Sequence, residues 1–211
     1  MIVEEEIMKT KKITFLSLLI AIEIILMFTP LGYIPIGPIR ATTLHIPVIT
    51  AGIILGIKEG AILGFVFGLS SLIMNTISPT GTSFVFSPFV TVAEIKGNLA
   101  SIAIAFIPRI LLGVVSGLVF KILTTKTKQK KETIAVIIAS LCGALTNTIL
   151  VLSGIYLFFG SNYADAVNIS YNTLLKVIST IIATNGLLEA SIGALIVLAL
   201  YKALNPTINK K

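Results

Sequence analysis

The sixteen lysines and arginines of this 211-residue chain lie almost entirely in short segments between long apolar runs, and no other feature constrains the fold as strongly. Six crossings of a membrane would place Lys9, Lys11, Lys12, Lys58, Lys121, Lys126, Lys128, Lys130, Lys131, Lys202, Lys210 and Lys211 on one face. Only Arg40, Lys96, Arg109 and Lys176 are left for the other face or the spans. Basic loops stay on the cytoplasmic side during insertion, so both termini are expected there. A mean hydropathy of +1.03 agrees, and with 12% charged residues the chain has too little polar surface to coat a soluble globule. The expectation is an all-α membrane protein of six transmembrane helices in a single domain, residues 1–211. Its first partner is the lipid bilayer. The net charge of +7 belongs to loops and tails at a membrane surface, and no nucleic-acid partner is expected.

The apolar runs predict spans at residues 13–28, 45–57, 61–74 and 102–123, a fifth ending near 160, and a sixth at 174–204. The first run is long, lacks a small-residue cleavage site and is followed by equally apolar runs, so it is read as a retained span rather than a signal peptide. The second is shorter than the roughly 20 residues a straight crossing needs, which predicts that it either borrows Thr42 to Leu44 or is partly sheltered by neighbouring helices. Gly56-Ile57-Lys58-Glu59-Gly60 reads as the turn that follows it. A long connection, residues 75–100, separates spans three and four and carries the apolar stretch 83–93. Connections of that length are uncommon unless they are functional lids or binding loops, so this outer segment is predicted to fold back onto the protein or the membrane interface. Gly52, Gly56, Gly60, Gly64 and Gly68 recur every fourth residue, which predicts a tight helix seam. Ser17 and Ala21 form a small-x-x-x-small pair on one face of span one.

Polar groups at membrane depth are costly unless satisfied, so each is a candidate for function. Arg109 follows Pro108 in span four and Glu189 lies within span six; they are expected either to pair or to face a ligand. Glu23 in span one reads as an interhelical packing residue or a proton site. Asn75, Asn147 and Asn185 fall toward the same ends of their helices and predict a polar pocket. At that level the segment 38–47 adds Arg40, Thr42, Thr43 and the lone histidine, His45. The candidate substrate-binding set is therefore Arg40, Thr43, His45, Asn75, Arg109, Asn147, Asn185 and Glu189.

Several chemistries lack their residues. No Gly-x-x-x-x-Gly-Lys-Ser/Thr phosphate loop is present, and one histidine and one cysteine, Cys142, make neither a zinc cluster nor a disulfide. The chain is expected to be no enzyme, with no catalytic residue, metal or cofactor.

Three stretches together resemble a known family. They are Ser17-Leu18-Leu19-Ile20-Ala21, the run Ile34-Pro35-Ile36-Gly37-Pro38-Ile39-Arg40-Ala41-Thr42-Thr43-Leu44-His45-Ile46-Pro47-Val48-Ile49, and Gly56-Ile57-Lys58-Glu59-Gly60-Ala61-Ile62-Leu63-Gly64. With these the chain is similar, over nearly its whole length, to the substrate-binding S components of energy-coupling factor (ECF) vitamin transporters. The resemblance implies a bacterial or archaeal plasma-membrane protein that captures a vitamin at the outer face. It also implies a shared ECF transmembrane subunit and two ATPase subunits as partners. The family docks that module through an alanine-x-x-x-alanine pair on the first helix, where this chain has Ser17 and Ala21.

The His45-Ile46-Pro47-Val48-Ile49 form is most similar to pantothenate-type members. A carboxylate ligand would want Arg40 or Arg109, and its amide and hydroxyls would want Asn and Thr partners. Phe84, Phe86 and Tyr156 could equally stack on a flavin or a pyridine, so riboflavin, pyridoxine or pyrimidine-type vitamins, niacin and folate stay open. A stand-alone proton-coupled secondary transporter using Glu23 or Glu189 is the competing reading. A membrane enzyme or structural protein is the third.

Overall fold

The computed structural model describes residues 2–36, 39–92, 94–126 and 132–208. Lys128, Lys130, Lys131, Lys210 and Lys211, and the side chain of Arg40, lie outside the described residues. The apolar runs form helices α1 (Ile2–Met27), α2 (His45–Ile54), α3 (Ile57–Ile77), α4 (Leu99–Lys126), α5 (Glu132–Ala166), α6 (Tyr171–Ile181) and α7 (Leu187–Ile208). In hydrocarbon a helix is the local way to satisfy every peptide group within one segment. Among the described residues, four rods are long and apolar enough to cross a membrane: α3, α4, α5, and α6 with α7 taken together. Helix α2 is too short for a crossing of its own, since ten residues rise about 15 Å. Every one of its residues is buried, so its surroundings are protein and its length need not match the bilayer.

The glycine seam sets the register of α2 and α3 against α4. A Cβ added at Gly52 would lie 2.6 Å from the Gly113 carbonyl oxygen and from Ser116 Oγ, and one at Gly68 would meet Ala105 O at 3.0 Å. Gly60 lies against the Gly113 backbone and Gly64 against Arg109 O. Helix backbones therefore touch, which gains dispersion and fixes α4 with little rotational freedom. Gly56 belongs to the predicted series but serves differently. At φ +129° it occupies a conformation that side chains disfavour and turns α2 into α3. Residues 57–60 of the predicted turn are already the first turn of α3.

The two long connections amend the all-α expectation. Tyr33–Ile36 (β1) pairs antiparallel with Ile39–Thr42 (β2), and Thr91–Val92 (β3) with Ile95–Lys96 (β4). Segments that leave a helix must satisfy their own peptide groups, and hairpins do so locally. The α3–α4 connection folds back as expected: Phe84 and Val85, in the 3-10 turn Ser83–Val85, are fully buried, and Phe84 meets the Phe159 ring edge-on at 5.7 Å. Hydroxyls fasten it, with Ser83 Oγ donating to Asn75 Oδ1 at 2.7 Å and Thr76 Oγ1 bonded to Ser87 Oγ at 2.7 Å. Ser101 Oγ donates to Phe84 O at 2.7 Å.

At the opposite end of the bundle, Tyr201 Oη donates to Glu132 Oε2 at 3.0 Å while its ring packs on Phe120 at 5.6 Å. These contacts draw together the ends of α4, α5 and α7 beside Lys121 and Lys202. Lys58, at the α2–α3 turn, belongs to the same end.

The sixth predicted span is not one uniform helix. Leu174, Ile178, Gly186, Ala190 and Ala194 are all buried, at separations that are multiples of four. A 3.6-residue helix would carry such a series off its face. The π turn Ile182–Gly186, with its wider winding, takes up part of that drift.

Candidate functional site

Three helices present a face of period four to one cavity of about 600 Å3. Helix α3 contributes Phe67, Ser71 and Asn75, α5 contributes Asn147, Val151 and Ile155, and the α6–α7 rod contributes Ile181, Asn185 and Glu189. The α3–α4 connection covers it with Thr80, Gly81, Thr82 and Phe86, and the α5–α6 turn with Val167 and Asn168. Asn168 sits at φ 56°, the left-handed position that ends a helix, and asparagine tolerates it better than most residues. Above Asn147 the α5 wall is apolar, through Val151, Leu152 and Ile155. Tyr163 lines the cavity as well.

Arg109 enters this cavity from α4 through a local consequence of Pro108. A proline at that position has no N–H to give to Ile104 O one turn earlier, which leaves a buried carbonyl without its helical donor. The Arg109 guanidinium supplies the missing donor, through Nη1 to Ile104 O. Its Cζ lies 5.5 Å from the centre of the Phe67 ring and 5.1 Å from that of Phe86, so two aromatic rings hold the cation at a buried position. Phe67 belongs to α3 and Phe86 to the covering connection. The arginine thus ties α4, α3 and that connection together at the cavity wall, with several N–H groups in a planar fork. Glu189 lines the same cavity.

Of the residues expected from sequence, Asn75, Arg109, Asn147, Asn185 and Glu189 come together here. Asn147 Oδ1 is buried with no hydrogen-bond partner, an acceptor that a ligand donor would satisfy. Asn185 lies in the π turn, where Thr184 Oγ1 approaches its Oδ1 at 3.3 Å. Glu189 follows in the first turn of α7, faced by the Thr42 backbone amide. Asn75 is already engaged, donating to Ser71 O at 2.8 Å and accepting from Ser83.

Thr43 and His45 do not line the cavity. Thr43 Oγ1 donates to Leu31 O at 2.7 Å, holding the turn after α1, and His45 is buried against Gly193 of α7, where an added Cβ would meet Nε2 at 2.6 Å. Among the described residues of that segment, Thr42 reaches the cavity. Arg40 lies on β2, and its side chain is outside the described residues. Glu23 is fully buried on α1, its carboxyl oxygens without hydrogen-bond partners, and it is not part of the lining. Tyr156 stacks on Tyr171 at 5.9 Å, outside the lining. Sequence reasoning missed Phe67, Ser71 and Tyr163. Phe67-x-x-x-Ser71-x-x-x-Asn75 continues the glycine spacing of α3 on an adjacent face, and that was the available signal.

A model of the family described as ECF transporter, substrate-specific component, matches residues 11–201. The pantothenic acid transporter PanT of Lactococcus lactis subsp. cremoris (strain MG1363) is 37% identical over 204 residues, 95% of this chain and 97% of that protein. The pantothenate transporter PanT of Leuconostoc mesenteroides subsp. mesenteroides is 27% identical over 205 residues, 94% of each. A crystal structure of the S-component for biotin from an ECF-type ABC transporter shares the fold, with a TM-score of 0.56 at 24% identity over 92% of each chain.

Proposed function

The chain belongs to the substrate-specific components of ECF transporters, and from that premise we propose that it is the pantothenate-capturing subunit of such an importer. It is a multi-pass cell-membrane protein, and a transporter component rather than an enzyme. The content of the cavity carries the choice of ligand. A guanidinium, an unpartnered amide oxygen, a carboxyl group and hydroxyls surround an apolar wall. Pantothenate offers a carboxylate, an amide, two hydroxyls and a pair of methyl groups to match. The two PanT relatives support the same ligand.

In this reading α1 and the protein-sheltered α2 make up six membrane segments with the four long rods. The end bearing Lys58, Lys121 and Lys202 faces the cytoplasm, as basic loops do, so the cavity opens outward beneath the α3–α4 connection, which acts as its lid. The chain has no nucleotide-binding motif of its own. Its energy comes from a shared transmembrane subunit and two ATPase subunits, and Ser17 and Ala21, both exposed on α1, are the docking face.

Mass spectrometry of the protein purified in detergent from cells grown in rich medium tests the ligand. Co-purified pantothenate is expected. A different vitamin would replace the ligand while keeping the class, and an empty protein that binds no member of a vitamin panel would defeat the proposal.

A further inference from the structure

The corner that leads from β2 into α2 is one hydrogen-bonded piece. Thr42 Oγ1 accepts from the Leu44 amide at 3.2 Å, Ile46 N donates to Thr43 O at 3.0 Å, and Thr43 N donates to Gly32 O at 3.3 Å. At one end of this piece Thr42 lines the cavity. At the other, His45 opens α2 and is only 5% exposed. Its imidazole lies flush on α7, where a Cβ added at Gly193 would meet Nε2 at 2.6 Å. The same ring meets the Thr42 backbone. Gly193 follows Glu189 by four residues, so the two share a face of α7, and Glu189 faces the Thr42 backbone amide. Thr42 is therefore held to α7 at two points, directly by Glu189 and through His45 on Gly193.

We propose that His45, seated on Gly193, is a positioning residue for the ligand, setting where Thr42 stands at the cavity wall so that the Thr42 hydroxyl donates to the bound vitamin. The inference rests on the ligand assigned above and adds a residue that acts on it without touching it. A buried ring nitrogen with no hydrogen-bond partner, as Nε2 is, costs stability. An apolar side chain of similar size would pack on Gly193 without that cost, but it could not hydrogen-bond the Thr42 backbone. Position 193 takes a glycine because any side chain there would drive the ring away, and the ring, as part of a bonded corner, would carry Thr42 with it. The Thr42 hydroxyl accepts from Leu44 and still has its own proton to donate. Pantothenate carries acceptors for that proton in its carboxylate, its amide carbonyl and its hydroxyls.

Calorimetric titration of the purified chain with pantothenate tests whether the joint acts through Thr42. Thr42→Val keeps the shape of the side chain without the hydroxyl, and is expected to weaken binding by about tenfold, the worth of one neutral hydrogen bond. Gly193→Ala, which pushes a methyl group into the His45 ring, should weaken binding by a similar factor. His45→Ala, which removes the ring without a clash, should do the same, and it carries the test if Gly193→Ala does not fold. The deciding variants are Thr42→Val/Gly193→Ala and Thr42→Val/His45→Ala. Each should bind no more weakly than Thr42→Val alone, whereas independent losses would multiply to about a hundredfold. A merely structural role would lower the thermal midpoint in detergent and leave the losses independent. Multiplying losses, or unchanged affinity in Thr42→Val, or unchanged affinity in both Gly193→Ala and His45→Ala, would overturn the joint while leaving the ligand assignment standing. Wild-type protein that binds no pantothenate would overturn the ligand assignment and this role of Thr42 together.

Discussion

Arg109 shows, at the scale of one residue, how a backbone defect orients a side chain at the cavity wall. Pro108 withholds a hydrogen bond from Ile104 O, and the neighbouring guanidinium fills the vacancy, which orients the whole side chain along the cavity wall. Pro108→Ala would return a backbone donor to that carbonyl and release the anchor. Pantothenate affinity is expected to fall by about tenfold, one neutral-to-charged hydrogen bond's worth of positioning. The thermal midpoint in detergent should hold or rise, because the helix regains a bond. Unchanged affinity with a higher midpoint would mean that the two phenylalanine rings position Arg109 unaided. The sequence marks Arg109 as a charge at membrane depth, yet it cannot show that the preceding proline aims it. Equally, Thr43 and His45 look like site residues from their place near a span mouth. Neither lines the cavity, since one bonds Leu31 and the other packs on Gly193.

At the scale of elements, α1 is divided into two stripes. Leu19, Glu23 and Met27 are buried, whereas Ser17, Leu18, Ala21 and Ile25 are exposed. A helix that commits one stripe to its own bundle and offers small residues on the other can take a second helix closely in lipid. Ser17→Trp should therefore leave pantothenate binding by the purified chain unchanged and abolish uptake in cells that carry the partner subunits. Uptake at the wild-type rate would remove α1 as the docking face. The α6–α7 rod shows where element-level reading runs short. Its apolar run announces one span, but the buried series of period four conflicts with helical geometry, and the π turn that resolves the conflict falls at the cavity and carries Asn185. The turn is seen only in the packing against α5, where Gly186 meets Thr148.

The whole molecule has a polar cavity at one end and basic residues at the other, with the glycine seam between them. The sequence carries no phosphate-loop motif, so transport is expected to depend on partners. Radiolabelled pantothenate uptake should be abolished in cells lacking the ATPase subunits while binding to their membranes persists. Uptake that survives there and follows the proton gradient would return the chain to the secondary-transporter reading. The sequence by itself determined the membrane as solvent, the helical class, the glycine contacts and five residues of the cavity wall, because hydropathy, helical spacing and the cost of polarity in lipid are local properties that act wherever the chain goes. Tertiary structure alone decided which polar groups face the cavity and which are consumed as structure. It also buried the short α2 in protein and put Phe67 and Phe86 on either side of Arg109. Those outcomes depend on how separate helices are rotated against one another, and rotation is set by backbone contacts, such as Gly64 on Arg109 O, between residues far apart in the chain.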